Sequence, residues 1–240
     1  VTGSTRGIGR ALATGLASAG ARVVIHGRDR QTIDAVRAEL EASGAQTLGA
    51  GFDVTDAEAV AAGIATLEAD APIDILVNNA GIQRRAPFLD FTVADWDELI
   101  ATNLTSAFLV GQAVARGMVD RGHGKIVNIG SVQSRLGRPS IAAYAATKGG
   151  IAMLTRGMCA DLAGSGIQVN ALAPGYFATD LTKALVDDVE FSTWLAKRTP
   201  AGRWGETHEL VGTLLYLSSA ASDFVNGQII YVDGGMTAVV

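Results

Sequence analysis

Ser131, Tyr144 and Lys148 are the side chains in this chain best suited to moving a proton. Tyr144 and Lys148 stand four residues apart, so a helix would set the phenol and the ammonium on one face. A phenol titrates near ~10 and is a weak base at neutral pH. A fixed cation beside it favours the phenolate and brings the group toward the working range. Ser131 lies thirteen positions before Tyr144 and can orient a substrate oxygen by hydrogen bonding. A tyrosine and a lysine one turn apart are weak evidence alone. They gain weight because the other parts of a hydride-transfer site occur in the same chain.

The first such part is the glycine-rich turn Gly3-Ser4-Thr5-Arg6-Gly7-Ile8-Gly9, which runs into a helical pattern. Glycines there permit a tight turn and close approach of backbone to a pyrophosphate, at the positive end of a helix. The apolar run Ala21–Ile25 follows, giving a unit of strand, helix and strand. Further β-branched runs near 46–51, 73–77, 124–129, 167–172 and 228–232 read as strands. Amphipathic stretches near 8–19, 30–43, 56–69, 94–119, 143–163, 183–197 and 206–218 read as helices. Their alternation predicts a Rossmann-like three-layer α/β fold, with a parallel sheet flanked by helices on both faces. Counting a fragment of the first strand before the glycine turn, seven strands are expected. That strand looks truncated at Val1.

Composition narrows the function. The 240 residues fit one domain, 1–240, with no linker or low-complexity stretch. A net charge of −5 with scattered basic residues speaks against nucleic acid and membrane surfaces. One cysteine, Cys159 in an apolar helix stretch, gives neither a disulfide nor a metal cluster. No metal is expected. His208-Glu209 starts like a zinc-protease motif, but Gly212 stands where a second histidine is required.

The chain resembles the short-chain dehydrogenase/reductase family over essentially its whole length. Thr2–Gly9 matches that family's TGxxxGxG, Asn78-Asn79-Ala80-Gly81 its NNAG, and Pro174-Gly175 its PG turn. Asn103, Ser131, Tyr144 and Lys148 match its catalytic tetrad. The resemblance implies that Tyr144 exchanges a proton with a secondary alcohol while hydride moves to or from a nicotinamide. Lys148 would also hold the nicotinamide ribose, and Asn103 a water in a proton relay. Gly3 to Gly9, Asp53, Val54, Asn79, Ala80, Gly81, Pro174, Gly175 and Thr179 would line the cofactor. Stretches 78–85, 153–159, 174–177, 197–204 and 221–227 resemble the gluconate 5-dehydrogenase branch of the family. That branch implies D-gluconate and 5-keto-D-gluconate as the reacting pair, a cytoplasmic location and a homotetramer. Broad apolar cover on the helices at 102–119 and 143–163 agrees with subunit contacts.

Cofactor choice is read after the run ending at His26. An acid there would bind the adenosine ribose and select NAD. Gly27 occupies the place where NAD-binding members of the family carry Asp, followed by Arg28. Arg28 and Arg6 can offer guanidinium forks to a 2′-phosphate, so NADP is expected, with NAD less preferred. Asp29 could pair with Arg28 or reach the ribose. Arg84 and Arg85 follow the NNAG loop, and either guanidinium could clamp a carboxylate. The resemblance favours Arg85. Gln133, Gln83 and Tyr176 are candidate hydroxyl partners, and 180–204 lies where the family places a substrate lid. Rival readings are a 3-oxoacyl thioester reductase, another sugar or polyol dehydrogenase, or a non-catalytic nucleotide sensor.

Overall fold

The computed structural model describes residues 1–179 and 182–240. Helix α1 (Gly7–Ser18) turns Leu12, Ala13, Leu16 and Ala17 inward. Gly20, at φ 91°, lets the chain reverse into strand β1 (Val23–Gly27). Asp29 caps α2 (Arg30–Ala42), which buries Ile33, Val36 and Leu40 at helical spacing. There follow β2 (Thr47–Gly51), α3 (Ala57–Asp70), β3 (Ile75–Asn78), α4 (Val93–Ile100), α5 (Ser106–Arg121) and β4 (Gly124–Ile129). The chain continues through α6 (Ala142–Leu162), β5 (Ile167–Pro174), α7 (Lys183–Val186), α8 (Val189–Arg198), α9 (Val211–Leu217) and β6 (Ile229–Val232).

All strand pairs are parallel. β1 pairs with β2, and β3-β4-β5-β6 form a second ladder in that order. Neighbouring residues on one strand serve opposite faces. Leu76 and Ile126 pack with Val60, Ile64, Val110, Val114 and Met118. Val77 and Val127 pack with Leu12, Leu16, Ile33, Leu214 and Leu217. Helices therefore cover both faces, as three layers require.

The expected count of seven strands is corrected. The described residues hold six strands in two parallel sheets. The gap between the sheets is spanned by Val1–Ser4. Thr2 N–H donates to Val77 O on β3 at 3.0 Å, and Ser4 N–H to His26 O on β1 at 3.0 Å. Gly3, at φ 61°, then bends the chain into the turn before a ladder can form.

A single helix over 94–119 is also corrected. α4 and α5 are separated by a π-turn, Ala101–Thr105. Its wider winding brings Asn103 inward to 2% exposure. The helix expected over 183–197 is two helices, α7 and α8, and the one over 206–218 opens as a 3-10 turn, Thr207–Leu210. No helix among the described residues is long and apolar enough to cross a membrane.

Candidate active site

Gly27, Asn78 and Pro174 end parallel strands, and Ser131 follows β4 by two residues. Carboxyl ends of parallel strands share one edge of the sheet, where ligands bind in folds of this kind.

The glycine turn at that edge is held from several sides. Thr2 Oγ1 accepts from Asn79 N–H at 2.9 Å and Ala80 N–H at 3.0 Å. Asn79 Nδ2 donates to Thr2 O at 2.9 Å and Gly3 O at 3.1 Å. A side-chain carbon on Gly9 would fall 2.3 Å from both Asn79 Nδ2 and Gly3 O, so only glycine fits. Arg6 precedes α1 without capping it through its side chain. The leading N–H groups of α1 have no partner within the helix, a setting suited to a pyrophosphate.

His26 belongs to this structure, although its place at a strand end suggested no role. Gly3 N–H donates to His26 Nδ1 at 3.1 Å, and His26 N–H donates to Ser4 Oγ at 2.9 Å. The ring stands edge-on to Phe52 with centroids 4.4 Å apart. Because Nδ1 accepts, the ring proton sits on Nε2. Burial lowers the imidazole pKa to about 4, so it is neutral at pH 7. Gly3 thus contributes the shape of the turn, its own N–H being taken. The one sequence signal was a histidine directly before Gly27.

At the end of β1, Gly27 leaves room where an acid would otherwise project. A side-chain carbon there would lie 2.9 Å from the Thr5 methyl. Arg28 is 80% exposed and meets Asp53 only at 3.7 Å. Asp29 is spent on Thr32, whose backbone N–H it accepts at 2.9 Å, along with the Thr32 hydroxyl. Asp53 Oδ1 accepts from Thr55 N–H at 2.9 Å and Thr55 Oγ1 at 2.7 Å, which holds its carboxyl below the usual range. Val54 is buried beside it, and Arg6 is exposed. An open cradle, an uncapped helix end and an exposed guanidinium fit a dinucleotide with a 2′-phosphate.

Ser131 caps the short turn Val132–Ser134, accepting from Gln133 N–H at 3.2 Å. Ser134 Oγ donates to Lys148 O at 2.8 Å and so fastens this turn to α6. The buried Lys148 ammonium donates to Ile129 O at 2.8 Å and lies 5.7 Å from the Tyr144 ring centre. Burial lowers its pKa to about 8. Tyr144 is half-buried, and here the expectation is corrected: its pKa is raised, not lowered. Burial dominates, while hydrogen bonding from Ser131 and the charge of Arg85 favour the phenolate. The ammonium shares the helix face but is directed to a backbone carbonyl.

Asn103 binds the backbone of Ile82 in both senses, accepting from N–H at 2.8 Å and donating to O at 2.9 Å. It also reaches Thr147 Oγ1 at 3.4 Å. Its side chain fixes the loop after Gly81.

The two adjacent arginines differ. Arg84 donates from Nε and Nη2 to Glu98, both at 3.0 Å, and its charge is met there. Arg85 makes no ion pair among the described residues. Its pKa lies below the usual guanidinium range, through burial and then the charge of Arg138, with Tyr176 and Tyr144 acting oppositely. Gln133 Nε2 donates to the Tyr176 hydroxyl at 3.4 Å, while its Oε1 is buried without a partner. Tyr176 packs among Phe191, Trp194 and Trp204 at centroid distances of 5.7, 6.3 and 5.8 Å. Gly175 N–H donates to Val232 O at 2.9 Å, and Thr179 N–H to Thr182 Oγ1 at 2.9 Å. Of the expected lid, Asp180 and Leu181 lie outside the described residues.

A family model described as enoyl-(acyl carrier protein) reductase matches residues 3–237. A gluconate 5-dehydrogenase of Gluconobacter oxydans is 58% identical, over 99% of this chain and 93% of its own. A 5-keto-D-gluconate 5-reductase of Escherichia coli is 52% identical, over 100% of this chain and 95% of its own. The crystal structure of a gluconate 5-dehydrogenase from Burkholderia cenocepacia, in complex with NADP and tartrate, superposes with a TM-score of 0.98. It is 58% identical and covers 100% of this chain and 94% of that one.

Proposed function

Since the chain belongs to the short-chain dehydrogenase/reductase family, we propose that it interconverts D-gluconate and 5-keto-D-gluconate with NADP. The observation that carries the sugar-acid reading is Arg85, a guanidinium without an acid partner among the described residues. It is exposed, and the charges of Tyr176 and Tyr144 act on it. A neutral substrate has no use for such a charge beside the proton-transfer group.

In oxidation, the Tyr144 phenolate takes the proton of the carbon-5 hydroxyl, and in reduction the phenol returns it. Bound NADP supplies the hydride acceptor, and its reduced form the donor. Ser131 hydrogen-bonds the reacting oxygen and steadies the phenolate. Lys148 has one N–H on Ile129 O, which leaves the others for the nicotinamide ribose hydroxyls. A positive charge brought to the ribose beside Tyr144 offsets the burial that raises the phenol. Arg85 grips the carboxylate and so aligns carbon 5 at a distance. Gly3 to Gly9 cradle the pyrophosphate and Arg28 meets the 2′-phosphate. Asp53, Val54, Asn79, Ala80 and Gly81 line the adenosine side. Pro174, Gly175 and Thr179 line the nicotinamide side. Gln133 and Tyr176 meet substrate hydroxyls, and the segment 180–204 acts as the lid that excludes water.

We also propose a cytoplasmic homotetramer. Phe108 on α5 is 46% exposed and Met153 on α6 is 60% exposed, both large apolar side chains in search of cover. Sedimentation at micromolar concentration should give the tetramer, and monomer alone would refute it.

A substrate panel read by absorbance of the reduced cofactor tests the main reading. Gluconate with NADP should exceed neutral polyols and acetoacetyl thioesters. Faster turnover of the thioester would assign the chain to acyl reduction instead.

A further inference from the structure

Arg138 stands in the loop between Ser131 and Tyr144, on the same edge as both. Its guanidinium lies over the Phe191 ring, 5.5 Å from the centre. Its Nε is buried without a hydrogen-bond partner, and no ion pair among the described residues includes it. Its charge also acts on Arg85, and that of Arg85 acts in turn on Tyr144. Elsewhere the half-buried Arg10, Arg37 and Arg121 are ion-paired, while Arg198 is not among the described residues. Arg121, for example, meets Glu68 at 2.8 Å. Arg138 is half-buried and Arg85 exposed, and two guanidiniums with no acid partner described for either favour an anion between them.

We propose that Arg138 is a second anchor for the substrate carboxylate, closing with Arg85 on the acid group. Its seat on Phe191 links that event to helix α8. The proposal rests on the sugar-acid reading and deepens it. A carboxylate has two oxygens and about four lone-pair directions, enough for two forks approaching from different sides. Phe191 is in contact range of Trp194, with centroids 5.2 Å apart, and of Tyr176. Arg138 drawn toward a carboxylate therefore pulls on the aromatic cluster that joins α8 to the end of β5. The neighbouring Gln133 Oε1, buried and unpartnered, is placed to accept from a hydroxyl of the same ligand.

The test compares D-gluconate with D-gluconamide, which keeps every hydroxyl but carries no charge. Gluconamide is read as an alternative substrate or as a competitive inhibitor, so its own turnover is not required. Arg138→Ala should lower kcat/KM for gluconate about tenfold to a hundredfold, the range for a hydrogen bond to a charged group. Constants for gluconamide should move less than about threefold, on the scale of a lost cation–π contact. Arg138→Lys should recover only part of the loss, because an ammonium lacks the planar fork. Phe191→Leu should cost about threefold on gluconate alone. Equal losses on both ligands would reduce Arg138 to a structural role and overturn the proposal. Unchanged gluconate kinetics in Arg138→Ala, alongside a loss in Arg85→Ala, would remove the second anchor and keep the first. A wild-type enzyme that treats gluconate and gluconamide alike would overturn the sugar-acid reading beneath it.

Discussion

The two halves of the cleft are built on opposite plans. On the cofactor side, polar groups are mostly matched: Thr2, Asn79, Ser4 and His26 hold the glycine turn through hydrogen bonds, and among these four only His26 Nε2 is buried without a partner. On the substrate side, Gln133 Oε1 and Arg138 Nε are buried and unmatched, and Arg85 has no counter-ion among the described residues. The first plan gives a rigid receptor for a ligand that is always the same. The second leaves bonding capacity that only the right substrate fulfils. Discrimination follows, because a ligand lacking the matching group leaves buried polar atoms unpaired.

Tyr144 lies where the two plans meet, so its removal should have the largest effect. Tyr144→Phe is expected to cut turnover by roughly a hundredfold or more, the range of general acid–base catalysis. NADP binding, measured by calorimetry, should persist, because the matched side is untouched. Loss of binding together with turnover would mean that the halves are not separable.

The next effect concerns the matched side and acid. His26 titrates at about 4 when folded, against an ordinary value of 6.5. The unfolded chain therefore binds more protons between those values, and stability falls as pH drops through that window. It is fully present above about pH 6.5, and the loss amounts to roughly 3 kcal/mol by pH 4. Denaturant midpoints across that range should show it, and His26→Asn should flatten it. An unchanged pH profile in that variant would place the acid sensitivity elsewhere.

Arg28, like Arg6, is a cofactor-side candidate left open to solvent. Arg28→Ala should shift preference from NADP toward NAD by about tenfold, since only NADP carries the 2′-phosphate. Equal loss for both cofactors would make it structural. The smallest effect is expected at Arg84. Its pair with Glu98 is surface-exposed, so Arg84→Ala should cost under about 1 kcal/mol of stability and leave gluconate kinetics nearly unchanged. A large kinetic loss there would blur the contrast between adjacent arginines.

Much of this was legible in the sequence for physical reasons. Runs such as Val23–Ile25 and Ile126–Val127 announce strands covered on both faces, and the glycines at 3, 7 and 9 mark a turn only glycine makes. The i, i+4 spacing placed Tyr144 and Lys148 on one face, but not the direction of the ammonium, which depends on where β4 ends. The apolar pattern across 94–119 hid the π-turn, because a single wide turn barely disturbs the periodicity. His26 was missed because its partner lies 23 residues away in sequence and is a backbone N–H. Arg84 and Arg85 have the same chemistry and adjacent positions, and only the acids that meet Arg84, Asp95 and Glu98, tell them apart.

The crowded space between Gly27 and the Thr5 methyl also bears on how such an enzyme changes allegiance between coenzymes. A route to NAD that begins with Gly27→Asp first meets a collision, because the new side-chain carbon arrives 2.9 Å from a methyl on a stiff, β-branched neighbour. Shortening that neighbour first, by Thr5→Ser, removes the obstacle at small cost. The two substitutions are thus unequal in order: one sequence of steps crosses a valley and the other a level path. Coenzyme preference here is a property of a pair of positions, and a screen that varies position 27 alone would undercount the routes open to the protein.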